Sequence, residues 1–206
     1  MPRRLLAVAA AAVAITVVAL TGCSATSTSS SASSGSSSTV TIATDANYPP
    51  CESYKSGTKD MVGFEPDLWN AIAKKSGQTV KVVNTDFDSL IPGVQSGRYD
   101  VAMECISDSA AREKQVSFLD FIYAEDAVIT TAKYTGSIDD TDPLSVCGQT
   151  MGAQTGFDVI TTVEDSINPA CVKAGKSKVT VQTYPSAAAT YNALYSGRVD
   201  FVIQDT

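Results

Sequence analysis

The chain has 206 residues, with 15 Lys and Arg against 22 Asp and Glu, a formal net charge of −7 and no histidine. That acidic balance argues against nucleic acid as a partner and suits an exported protein. The missing histidine removes the commonest general base and a favoured metal ligand.

In chain order, the first segment is not part of the fold. Arg3 and Arg4 precede an apolar run over residues 5–20, interrupted only by Thr16. A basic start, a short hydrophobic stretch and small residues before a cut site describe a secretory signal over residues 1–22. Leu20-Thr21-Gly22-Cys23 resembles a bacterial lipobox. That implies a lipidated, palmitate-bearing Cys23 and an anchor on the outer face of the cell membrane. Residues 23–39 are almost all Ser, Thr and Ala, too polar to bury a core, and read as a flexible tether.

From residue 40 onward the pattern changes. Residues 40–43 read as a short apolar strand that stops at Thr44-Asp45-Ala46-Asn47-Tyr48-Pro49-Pro50, where two prolines forbid ladder continuation and predict a loop. Gly63-Phe64-Glu65-Pro66-Asp67 opens a helix through about Lys75, with Leu68, Ile72 and Trp69 inward and Gly77 closing it. Residues 79–83 form the next strand, residues 87–97 a helix, and residues 101–103 a third strand. A helix follows Arg112 to about Val116, and the β-branched run at residues 127–132 carries the chain out of this unit. The second unit repeats the plan, with strands at 150–153, 179–183 and 201–203 and helices at 158–167 and 187–195. Strand and helix in alternation specify parallel sheets covered by helices, an α/β class. The lobes are read as residues 40–127 and 133–206, the second incomplete, with a hinge crossover at 128–132.

Two turns one hundred residues apart echo each other: Ser96-Gly97-Arg98-Tyr99-Asp100 and Ser196-Gly197-Arg198-Val199-Asp200. Each reads as a helix closed by glycine that feeds a buried strand. Beyond the first lie Glu104, Cys105, Ser107, Ser109 and Arg112; beyond the second lies Asp205. Open parallel sheets bind ligands at such strand ends, and a cation facing an anion suits a ligand with both an acid and an amine.

Setting Cys23 aside leaves four cysteines in an oxidising compartment, which is the arithmetic of two disulfides with three connectivities. Cys147 with Cys171 is the favoured pairing, since they flank one short segment, and Cys51 would then pair with Cys105. No Cys-x-x-Cys or histidine accompanies them, so no metal is expected.

Six motifs in this order carry a resemblance: Asp45-Ala46-Asn47-Tyr48-Pro49-Pro50, Gly63-Phe64-Glu65-Pro66-Asp67-Leu68, Phe87-Asp88-Ser89-Leu90-Ile91-Pro92, Ser107-Asp108-Ser109-Ala110-Ala111-Arg112, Gln154-Thr155-Gly156 and Gly197-Arg198-Val199-Asp200. The chain resembles extracellular solute-binding proteins of the polar amino-acid class that serve ABC-type importers, the bacterial family 3 type. The resemblance implies a bilobal, type II periplasmic-binding-protein-like fold closing on a free amino acid, no cofactor, a membrane permease as partner and a monomeric state. It also implies further chain beyond Thr206.

Carried over residue by residue, Arg112 would clasp the ligand carboxylate, helped by the amides at Ser109. Asp205 would hold the ammonium and Ser107 would add a polar contact. Gly156 and Phe157 would offer amides from the second lobe, while Tyr48 and Phe87 would sandwich the ligand side chain. Departures from the family pattern are Cys51, Cys105, Phe157 in place of threonine, and the extra acid Glu104. A Cys51–Cys105 bridge would stiffen and narrow the pocket wall, and Glu104 with Asp45 would select a basic side chain. Two other readings stay open. One is an exported dehydratase of a cyclic amino-acid precursor, with Glu104, Asp108 and Asp205 as proton carriers; the other is a sensory ligand-binding module.

Overall fold

The computed structural model describes residues 38–139 and 141–205. The signal segment, Cys23, the tether up to residue 37, Asp140 and Thr206 lie outside the described residues.

The first lobe is built from β1 (Thr39–Thr44), β2 (Asn47–Tyr48), β3 (Glu52–Tyr54), β4 (Met61–Val62), α1 (Phe64–Ser76), β5 (Thr79–Asn84), a 3-10 turn at Phe87–Ser89 running into α2 (Leu90–Gln95), β6 (Val101–Ala102) and α3 (Ala110–Glu113). β1 lies between β5 and β6 and is parallel to both, so its carboxyl end opens beside theirs. Ala43, Phe87, Leu90 and Tyr99 form the core beneath.

The second lobe comprises β7 (Asp126–Ile129), β8 (Thr150–Gln154), α4 (Val159–Thr162), α5 (Asn168–Lys173), β9 (Thr180–Tyr184), α6 (Ala187–Tyr195) and β10 (Phe201–Asp205). Its sheet runs β7-β10-β8-β9, with β8 parallel to β9 and β10, and β7 antiparallel to β10. All four residues of β7 pair with β10, so the chain has joined the second sheet by Asp126, two residues before the crossover read from the sequence. Met151, Val163, Val179 and Phe201 anchor the main core here.

The echoed turns are equivalent in detail. Gly97 and Gly197 both adopt φ 70°, a left-handed conformation that glycine enters without a Cβ clash. Asp100 Oδ2 accepts from the Thr41 amide and Asp200 Oδ2 from the Thr150 amide, each at 2.8 Å. Each aspartate thus ties its turn to the start of the lobe's central strand.

Four local expectations are corrected. The stretch after β1 is not all loop: Asn47–Tyr48 pairs with β3, and the prolines occupy the turn that follows, outside the ladder. In α1 the buried stripe is Glu65 and Trp69, and Ile72 is 52 % exposed, because the helix packs on β3, β4 and β5 through the face carrying Glu65. The helix expected at 158–167 is α4 followed by a wide turn at Val163–Ile167 and then α5. Pro169 has no amide to continue a regular ladder there. The helix expected after Arg112 begins at Ala110 and includes it.

Candidate functional site

The carboxyl ends of β1 and β6 face those of β8 and β10 across a narrow cavity, partly open to solvent. Six of the expected site residues line it: Phe87, Cys105, Ser107, Arg112, Phe157 and Asp205. Asp126, Asp158, Val159, Ile203 and Gln204 complete the wall and were not singled out from the sequence. Asp158 and Asp126 look like ordinary surface acids in the chain, and both stay partly exposed while bordering the cavity.

Arg112 is the centre of the site. It is buried, with Nη1 donating to the Ser107 carbonyl (2.8 Å) and Nη2 to the Gly156 carbonyl (2.9 Å) across the cleft. Nη1 also lies 3.5 Å from Asp158 Oδ2. Its guanidinium sits 5.6 Å from the centroid of the Phe87 ring, a cation–π contact that fixes the plane of the fork. Burial lowers the guanidinium pKa, and Asp158 and Asp205 oppose the shift.

Asp205 Oδ2 accepts from the Tyr48 hydroxyl at 2.8 Å, and Gln204 Nε2 donates to that same hydroxyl at 2.7 Å. Burial and the adjacent Asp205 raise the Asp126 carboxyl above its ordinary range. One cation therefore faces three carboxyl groups in the cavity wall.

Tyr48 and Phe87, the pair expected to sandwich a ligand side chain, both meet the Phe157 ring. Phe157 reaches both rings, with centroids 4.7 Å from Phe87 and 6.1 Å from Tyr48, and it packs on the cores of both lobes. Gly156, at φ 88°, is held against the first lobe: a Cβ there would meet Asp88 Cβ at 3.1 Å. The Ser109 hydroxyl is buried without a hydrogen-bond partner.

Asp45 and Glu104 sit behind the cavity and do not line it. Asp45 Oδ2 accepts from Gln154 Nε2 of the second lobe at 2.8 Å. Burial raises its carboxyl pKa, against the hydrogen bonds from Asn47 and Gln154. Glu104 is turned to the end of β1, where Oε2 accepts from the Asp45 amide (2.7 Å) and the Thr44 hydroxyl (3.3 Å). The disulfides pair as favoured, Cys51 with Cys105 and Cys147 with Cys171, with Cα separations of 6.2 and 5.7 Å.

Two helix-covered sheets with their strand ends turned to a shared polar cavity define the chain as an α/β protein of the periplasmic-binding-protein fold. The model of the bacterial extracellular solute-binding proteins, family 3, matches residues 40–138. The arginine-binding protein ArgT of Corynebacterium glutamicum is 29 % identical over 172 residues, 81 % of this chain and 54 % of that protein. The lysine/arginine/ornithine-binding periplasmic protein of Escherichia coli is 31 % identical over 166 residues, 81 % of this chain and 60 % of that protein. The solved structure of an ancestral arginine-binding protein bound to arginine superposes with a TM-score of 0.67 at 32 % identity, covering 81 % of this chain and 70 % of that one. The chain belongs to the family 3 extracellular solute-binding proteins. It spans little more than half the length of the two curated relatives.

Proposed function

We propose that this chain is the capture component of an ABC-type importer for a basic amino acid. The observation that carries the reading is the charge of the cavity wall, Arg112 against Asp126, Asp158 and Asp205. A ligand carboxylate takes the Arg112 fork, which presents planar paired donors. A ligand ammonium takes Asp205. A zwitterionic ligand adds no net charge, so the wall keeps two more carboxyl groups than cations, which favours a cationic side chain over a neutral or acidic one. The selecting acids in this reading are Asp126 and Asp158, in place of the Glu104 and Asp45 read from the sequence. Relatives named for arginine, lysine and ornithine support it.

Binding, not catalysis, is the activity. The ligand draws the lobes together by contacts that exist only when they meet, a population shift. The signal at residues 1–22 directs export, and lipidated Cys23 then tethers a monomer to the outer face of the membrane, beside its permease. The lobes turn about the segment that leads into β7, which already belongs to the second sheet. Cys23→Ser is expected to release the protein into the medium.

Titration calorimetry of the full chain tests the reading. Arginine and lysine are expected to bind and glutamate to fail. Arg112→Ala should cost at least about 30-fold in affinity, the lower end for losing one partner of a buried charge pair. Asp158→Asn should narrow the preference for arginine over glutamine by about tenfold. Binding of no amino acid, or turnover of a ring-containing amino-acid precursor, overturns it.

A further inference from the structure

Behind the cleft, three elements converge on a cluster of glutamates. Glu52 from β3 and Glu65 from α1 are 0 % exposed, and Glu104 from the loop after β6 is 3 % exposed. The backbone forces them together. The Cys51–Cys105 bridge ties the immediate neighbours of Glu52 and Glu104, and the Glu65 amide donates to the Cys51 carbonyl at 3.1 Å. Gly63, at φ 138°, permits that approach, since a Cβ there would lie 2.1 Å from the Cys51 oxygen.

The side-chain oxygens of Glu52 and Glu65 meet no donor. An ionised carboxylate only accepts, so Glu52 and Glu65 would stay unpaired and all three charges would repel one another. Two protons satisfy the cluster. Glu52 is then the donor toward Glu65 and Glu104, burial keeps a proton on Glu65, and Glu104 keeps its charge for the Asp45 amide and the Thr44 hydroxyl. The last link reaches the cleft, because Asp45 holds Gln154 of the opposite lobe.

We propose that Glu52, Glu65 and Glu104 form a proton-carrying relay that positions the Asp45 loop for lobe closure, linking closure to protons held behind the cleft. Glu104 is a positioning residue here. The role in ligand capture rests on the function proposed above; the relay itself does not. The groups facing Glu104 are Glu52 from β3, Glu65 from α1 and Asp45 from the β1 loop, and Asp86 faces Asp45. No Lys or Arg is among the described groups acting on the three glutamates. Among the described residues no set of His, Cys, Asp or Glu is arranged to hold a metal ion.

Burial raises all three carboxyls, Glu52 furthest because it also bonds to both neighbours, and Glu104 to about 7 from 4.5. The folded cluster therefore binds protons more tightly than the unfolded chain. Its stabilisation is complete below pH 4.5 and declines as pH rises, with the Glu104 share lost through about pH 7.

The test is equilibrium unfolding of the full chain without ligand, from pH 4.5 to 8.5, beside Glu52→Gln and Glu65→Gln. Each proton held on folding weakens the folding equilibrium by about tenfold per pH unit as pH rises. Glu52→Gln should flatten that slope and gain stability relative to wild type at pH 8. The Asp45 amide resonance should titrate near pH 7 in wild type and not in Glu104→Gln, which removes the titrating partner of that amide. If the variants fold poorly, the infrared carbonyl band of protonated carboxyl groups in the folded wild type at pH 7.5 decides. A wild-type slope matched by both variants, or no protonated-carboxyl band, overturns the relay. An Asp45 amide indifferent to pH overturns its positioning role. If these signals appear and no amino acid binds, the relay stands and the ligand reading falls.

Discussion

Phe157 and Gly156 carry much of the contact between the lobes, and each does so through a property of a single residue. Gly156 is strained for any other side chain by its φ of 88° and is tight against Asp88. Alanine there costs about 1–2 kcal/mol for the left-handed backbone in the folded protein, whether the lobes are apart or together. It adds a clash only when the lobes meet. Gly156→Ala is thus expected to lower unfolding stability by about that amount and to weaken ligand affinity further, checked by chemical unfolding alongside calorimetry. The importance of Gly156 was legible from Gln154-Thr155-Gly156. The route by which Phe157 reaches Phe87 and Tyr48 was not, since an aromatic residue carries no record of which ring it will meet. Glu104 teaches the same lesson: its presence beside Cys105 was plain, but its direction depends on Glu52 and Glu65, which lie 52 and 39 residues away in the chain.

Among the elements, the two disulfides differ in what they constrain. Cys147–Cys171 closes a span of 24 residues within the second lobe, and its removal should cost about 3 kcal/mol of stability in the chain-entropy account. It touches nothing in the cavity, so Cys147→Ser with Cys171→Ser should leave ligand affinity unchanged. Cys51–Cys105 spans 54 residues and forms part of the cavity wall, so its loss should lower both stability and affinity. Non-reducing denaturant unfolding and calorimetry on the two double variants separate these outcomes. The strands and helices themselves were largely legible, because α6, the parallel strands and the echoed turns obey local periodicity and glycine rules. The three-stranded β2-β3-β4 ribbon was not. Its strands of two or three residues are too short to show any period.

For the molecule as a whole, protection should follow burial. Ala43 on β1 and Met151 on β8 are fully buried at the centres of their sheets, whereas Leu119 and Tyr123 between the lobes are 91 % and 96 % exposed. Amide hydrogen exchange is expected to be slowest along β1 and β8 and fastest over residues 117–125, because local opening costs least where few contacts are lost. Exchange of β1 as fast as that segment would refute this order. The sequence by itself determined the class of fold, the order of elements, the pairing of turns and the cysteine arithmetic. These follow from periodicity, from turn chemistry and from what an acidic, histidine-free chain excludes. Only the tertiary structure decided which acids face the cavity, Asp126 and Asp158, and which retreat behind it, Asp45 and Glu104. That division depends on contacts between segments far apart in the chain, where burial, charge and hydrogen-bond supply are set by neighbours that no local pattern records.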